Sequence, residues 1–128
     1  MSAKNSDEAR VRELYRVLQE TKQRVRQLDV SKDSFLSEDT VVNRAIADSL
    51  LMCVFRATEE AGNMSPETRQ SYPQIEWSGI HTMRNILAHD YGSADREIIW
   101  ASIEYDFPEL ERFCIAFCED KGCSLLDT

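Results

Sequence analysis

At 128 residues, 42% of them apolar and 30% charged, the chain has the size of one domain, and a single domain over 1–128 is expected. A formal net charge of −8 sets it apart from proteins that coat nucleic acid, which depend on Lys and Arg to neutralise phosphates. No apolar run approaches the ~20 residues that cross a bilayer, and MSAKNSDEAR lacks a basic start followed by an apolar stretch. A cytoplasmic protein with no membrane attachment is the expectation.

The charge is uneven, +2 over residues 1–30, −4 over 31–92 and −6 over 93–128. A polyanion would favour the first helix and the middle of the chain, although the same balance also serves solubility alone. Cys53, Cys114, Cys118 and Cys123 contain no C-x-x-C pair. They read as reduced core thiols, with Cys114 and Cys118 on one helix face among Phe113, Ile115 and Phe117.

Glycine and proline are scarce, four and three residues, and fall between periodic segments, which predicts an all-α fold. The first helix is expected to start at Ser6 as N-cap, with Asp7 and Glu8 in its first turn. Val11, Leu14, Leu18, Thr21, Val25 and Leu28 form its apolar stripe, suited to a core or a dimer seam. The polar stretch Ser31 to Glu38 leads to a second helix, about Asp39 to Ala61, with Val42, Ala45, Ile46, Leu50, Val54 and Phe55 inward. Gly62 ends it. Ser65-Pro66-Glu67 then reads as an N-cap and proline-led first turn of a short helix, and YPQIEW as a connector. A third helix spans about Trp77 to Tyr91 and stops at Gly92, a fourth about Asp95 to Tyr105, and a fifth follows Pro108 and ends near Gly122.

Chemistry concentrates in the third helix. At ~3.6 residues per turn, Gly79, Ile80, Met83, Ile86 and Leu87 fall on one side. Trp77, Ser78, His81, Thr82, Arg84, Asn85, Ala88, His89 and Tyr91 fall on the other. Arg84 and Tyr91 are nearly eclipsed, and Asn85 and His89 form a second row four residues apart. The small Ala88 leaves a shallow groove between a guanidinium and an imidazole. Such groups suit cleavage of RNA, whose 2′-hydroxyl is its own nucleophile, without a metal. His89 could take or give a proton, Asn85 could orient the imidazole, and the planar fork of Arg84 matches phosphate oxygens. The same residues also read as an ordinary polar surface. A Gly-rich phosphate loop, H-E-x-x-H, G-x-S-x-G and any evident metal or cofactor set are missing, so no cofactor is expected and this helix is the place where chemistry could reside.

The stretch RNILAHDY, Arg84 to Tyr91, resembles the R-x4-H-x-Y signature of the HepT toxins, a branch of the HEPN superfamily. Upstream, YPQIEWSGIHTM is similar to that family's entry into the motif helix, and Glu60-Ala61 to the end of its "GEA" segment. Downstream, Ile99-Trp100 and Phe107-Pro108-Glu109-Leu110 also fit, so the resemblance covers roughly residues 39–113. It implies a HEPN-like bundle of about five helices that dimerises through the motif helix, with Arg84 and His89 of both copies round one RNA cleft. It further implies a metal-independent endoribonuclease acting on tRNA or mRNA. Its tyrosine, here Tyr91, would receive AMP from a small nucleotidyltransferase antitoxin of the MntA type. Two positions depart from the pattern: Glu59 replaces the usual glycine before the glutamate, and Cys53 stands where an arginine is common. The alternative is a non-catalytic HEPN module that binds a nucleotide or the nucleotidyltransferase.

Overall fold

The computed structural model describes residues 3–126, with side chains from residue 7 onward. Among these residues it is all helical. Helices run over α1 (Ala3–Gln27), α2 (Lys32–Leu36), α3 (Val41–Gly62), α4 (Pro66–Ser71), α5 (Trp77–His89), α6 (Arg96–Ala101) and α7 (Phe107–Lys121). The main packing partners are α1 with α3, α3 with α5, and α1 with α7. One apolar cluster joins Val11, Leu14, Leu50, Val54, Ile99 and Phe113, among others, all at most 1% exposed.

The first helix starts earlier than expected, at Ala3 rather than after a cap at Ser6. Asp7, expected to favour its own helix, serves another one. Its buried carboxylate accepts from Ser65 N–H at 3.1 Å, from Ser65 Oγ at 2.6 Å and from Thr68 Oγ1 at 2.5 Å, all at the start of α4. The stripe of α1 is buried at Val11, Leu14, Leu18 and Thr21, whereas Leu28 lies past the helix end and is exposed. There Asp29 takes a left-handed φ of 52°, a conformation Asp tolerates better than most residues, and Val30 N–H returns to Val25 O at 2.9 Å.

The polar stretch after α1 contains a helix that the sequence pattern does not announce. Ser31 and Ser34 form a reciprocal capping box, and α2 buries a single large residue, Phe35, whose ring lies 5.3 Å from that of Trp100. In α3 the buried stripe starts only at Ala47 and continues through Leu50, Leu51, Cys53, Val54, Ala57 and Ala61. Val42 and Ala45, expected inside, are exposed because the first turn of α3 lies ahead of that stripe. α4 starts as expected, with Ser65 as cap and Pro66 at the first position. The connector after it is more than a linker. Tyr72 and Ile75 are buried, and the Tyr72 ring stands edge-on to Phe113 with centroids 5.1 Å apart.

The expected fourth and fifth helices are one continuous helix. A π turn over Ser102–Asp106 joins α6 to α7, with Phe107 N–H bonding to Ser102 O. The wider turn accommodates Pro108, whose ring would clash with the carbonyl four residues back in a regular α-helix. Gly122 ends α7 with φ +70°, a left-handed cap. All four cysteines are free; Cys53, Cys114 and Cys118 are buried, while Ile115 beside them faces outward. No helix of the described residues is long and apolar enough to cross a membrane.

Candidate functional site

α5 begins where the sequence suggests, at Trp77, but ends at His89, two residues short of Tyr91. Asp90 N–H still bonds to Ile86 O, after which Tyr91–Ser93 form a 3-10 turn closed by Ser93 N–H to Asp90 O. α5 is less embedded than its pattern implies. Leu87 is its one buried residue, Ile80 and Met83 are half covered, and Ile86 is 43% exposed. Trp77, placed on the polar face by helix geometry alone, instead packs on the core. Its ring is edge-on to Phe113 at 5.1 Å and its Nε1–H donates to Tyr72 O at 2.9 Å.

Arg84 leans toward α3 and does not stand free. Its Nε donates to Glu59 Oε1 at 2.5 Å, and its Nη1 to Asn85 Oδ1 at 3.2 Å. The guanidinium and the Glu59 carboxylate are each about one third exposed. Beside Glu59, the Glu60 carboxyl is held above its usual range by burial, against the pull of the Arg10 guanidinium 3.3 Å away. Asn85 therefore pairs with Arg84 and not with His89, the partner its four-residue spacing suggests. His89 stands exposed at the last position of α5. Five residues separate Arg84 from His89, about 7.5 Å of rise and about 140° of rotation on a helix. His81 and Ala88, between the two rows, are both exposed, so the shallow groove is open to solvent.

Tyr91 lies apart from Arg84. Its hydroxyl donates to Asp48 O at 3.0 Å, in the N-terminal half of α3, whereas Arg84 meets α3 at Glu59. These anchor points are eleven residues apart in α3, about 16 Å along its axis. The expected alignment of Arg84 and Tyr91 on one edge fails because the chain leaves the α-helical path at Asp90. The Tyr91 hydroxyl is held above its ordinary range by burial, then by the Asp48 carboxylate, with Arg96 acting in the opposite sense. Arg96 Nη2 pairs with Asp48 Oδ1 at 3.3 Å, while its buried Nη1 has no hydrogen-bond partner among the described residues. The described residues contain no group of three His, Cys, Asp or Glu side chains arranged to hold a metal ion.

One feature of the candidate site went unseen from the sequence, the engagement of Arg84 by Glu59. Its signal was present as a carboxylate where a related pattern carries glycine, but nothing in the linear order shows where that carboxylate points.

Comparison with known proteins agrees with the motif helix. A relative from Caldanaerobacter subterraneus subsp. tengcongensis, named "Putative RNase", is 32% identical over 83 residues, 65% of this chain and 70% of that protein. A Methanocaldococcus jannaschii protein with the same name is 27% identical over 75 residues, 59% of this chain. The "Probable ribonuclease HepT" of Thermococcus cleftensis is 31% identical over 62 residues, 45% of this chain and 56% of its own. The chain spans 65% and 62% of the length of two of the M. jannaschii relatives it matches, just under two thirds. No solved structure matches it. The family model described as "Ribonuclease HepT-like" matches residues 10–117, from the first third of α1 almost to the end of α7 and across the whole of α5. By that match the chain belongs to the HepT-like ribonuclease family, of the HEPN superfamily.

Proposed function

We propose that this chain is a metal-independent endoribonuclease toxin, silenced when a partner nucleotidyltransferase attaches AMP to Tyr91. The observation that carries the nuclease reading is the placement of a partly exposed Arg84 and an exposed His89 on one helix, α5, inside the region matched to a ribonuclease family. In the proposed reaction His89 takes the proton of the ribose 2′-hydroxyl as its oxygen attacks phosphorus. The bond from phosphorus to the 5′-oxygen then breaks, and that oxygen leaves with a proton from water or from a second imidazole. Arg84 stabilises the charge that builds on the phosphoryl oxygens, and Asn85 steadies the guanidinium. The products are a 2′,3′-cyclic phosphate and a 5′-hydroxyl.

The proposed working form is a homodimer through α5. Ile80, Met83 and Ile98 line a groove of about 320 Å³, and Ile86 and Ile98 are 43% and 54% exposed, apolar surface that a second copy would cover. A second imidazole would then approach the cleft from the partner copy. The silencing reading is supported by Arg96: a phosphodiester on Tyr91 would lie within the field of its guanidinium, which already acts on the Tyr91 hydroxyl.

One observation favours the non-catalytic alternative, a module that binds a nucleotide or the nucleotidyltransferase: Arg84 already has a carboxylate partner. Incubation of the protein with end-labelled tRNA and mRNA in EDTA, beside the His89→Ala variant, separates the two. Cleavage to cyclic-phosphate ends that is lost in the variant, and absent on DNA, supports the nuclease. Intact RNA, or cleavage only with added metal, overturns it.

A further inference from the structure

Glu59 occupies the edge of Arg84 that the proposed chemistry needs. A guanidinium offers two two-pronged edges, one formed by Nε with Nη2 and the other by Nη1 with Nη2. Glu59 Oε1 takes Nε at 2.5 Å and Asn85 Oδ1 takes Nη1 at 3.2 Å, so Nη2 is the nitrogen with no partner among the described residues. A phosphate that grips Arg84 through Nε and Nη2 must first displace the Glu59 carboxylate. Carboxylate and phosphate present the same paired oxygens to this fork, so the two compete for one site.

The surroundings single out Glu59 for this role. The neighbouring Glu60 is held by Arg10 of α1, which leaves Glu59 as the acid of that turn directed at α5. The pair is 35% and 34% exposed, within reach of solvent, so the carboxylate can exchange with an incoming anion. After displacement it remains attached to α3 a few ångströms from the phosphate, where it repels it.

We propose that Glu59 is an intramolecular competitor for RNA phosphate at Arg84, a residue that sets how tightly the site holds RNA. The inference rests on the reading that Arg84 contacts an RNA phosphate. It predicts that removing the Glu59 charge strengthens RNA binding by about three- to tenfold, through loss of both the competing pair and the repulsion. The effect falls on KM and on binding, with kcat little changed.

The test is fluorescence anisotropy of a labelled 2′-O-methyl RNA oligonucleotide, whose blocked 2′-oxygen prevents cleavage. Wild type is compared with Glu59→Gln, Glu59→Ala, Arg84→Ala and the Glu59→Gln/Arg84→Ala double variant, with urea melts to confirm that each folds. Glu119→Gln, at an exposed site on α7, makes the same change in net charge and should shift binding less than twofold. Tighter binding by both Glu59 variants, abolished in the Arg84→Ala background, is the expected result. Unchanged or weaker binding by both, with Arg84→Ala still impaired, overturns the competitor role alone and shows that Glu59 holds Arg84 in place. Binding unaffected by Arg84→Ala overturns the assignment of Arg84 to RNA, and this inference with it.

Discussion

Asp7 and Ser65 lie 58 positions apart in the chain, yet the Asp7 carboxylate accepts from both the backbone N–H and the hydroxyl of Ser65. Together with Thr68, this ties the beginning of α1 to the first turn of α4, a six-residue helix too short to persist alone. α4 leads directly into the Tyr72 to Trp77 segment that starts the motif helix. Asp7→Ala should lower unfolding free energy by about 1–3 kcal/mol, the cost of leaving buried donors without their charged acceptor. Urea denaturation measures this; a change below a few tenths of a kcal/mol would show that Ser65 caps α4 unaided.

Arg84→Lys should lose nearly as much RNA cleavage as Arg84→Ala, because an ammonium retains charge but has no two-pronged fork. Both variants should fold with a loss under about 1 kcal/mol, since the ion pair to Glu59 is one third exposed and screened. A lysine variant with most of the wild-type rate would reduce Arg84 to a point charge.

Tyr91→Phe removes one oxygen and one hydrogen bond, to Asp48 O. Nuclease activity should persist in the variant, yet a cognate nucleotidyltransferase with ATP should no longer silence it. Mass spectrometry of co-expressed wild type should show added AMP on the peptide containing Tyr91. Silencing with an unmodified peptide would mean that the partner acts by binding alone. Because the hydroxyl is already bonded to the Asp48 carbonyl of α3, modification must break that bond; Arg96→Ala, which removes the guanidinium beside Tyr91, should weaken silencing without blocking AMP transfer.

Glu60 gives a pH signature. Burial holds its carboxyl above the ordinary 4.5, so the folded chain binds that proton more tightly than the unfolded one. Its contribution to stability is therefore present in full below pH 4.5 and is lost as pH rises through the elevated folded value. In melts from pH 7 down to pH 4.5, wild type should gain stability relative to Glu60→Gln, by a fraction of a kcal/mol given partial exposure. A constant difference across that range would remove Glu60 as the source.

Local chemistry made much of this architecture readable. Ser65-Pro66 and Gly122 mark helix ends through rules that act within a few residues, and the positions of α3, α4 and α5 follow. The catalytic candidates were readable as a set because they lie on one helix. What escaped depends on contacts between distant segments. Asp7 looks like an acid favourable to its own helix until Ser65 is placed beside it, and Trp77 looks solvent-facing until Phe113 meets its ring. Asn85 and His89 have the right spacing to pair, but Arg84 supplies a charged donor next door. Tyr91 was misplaced by extending a helical wheel two residues past the last helical turn.

The π turn at Ser102–Asp106 has a consequence for motion. Its Phe107 amide spans five residues to Ser102 instead of four, and Pro108 contributes no amide proton at all, so the long C-terminal helix carries a thin place in its ladder. Amide protons there should exchange with deuterium sooner than those around Ile99 above it and Cys114 below it, both fully buried. The helix would then open in two halves: one that moves with Trp100, Phe35 and α2, and one that moves with Phe113 and α1.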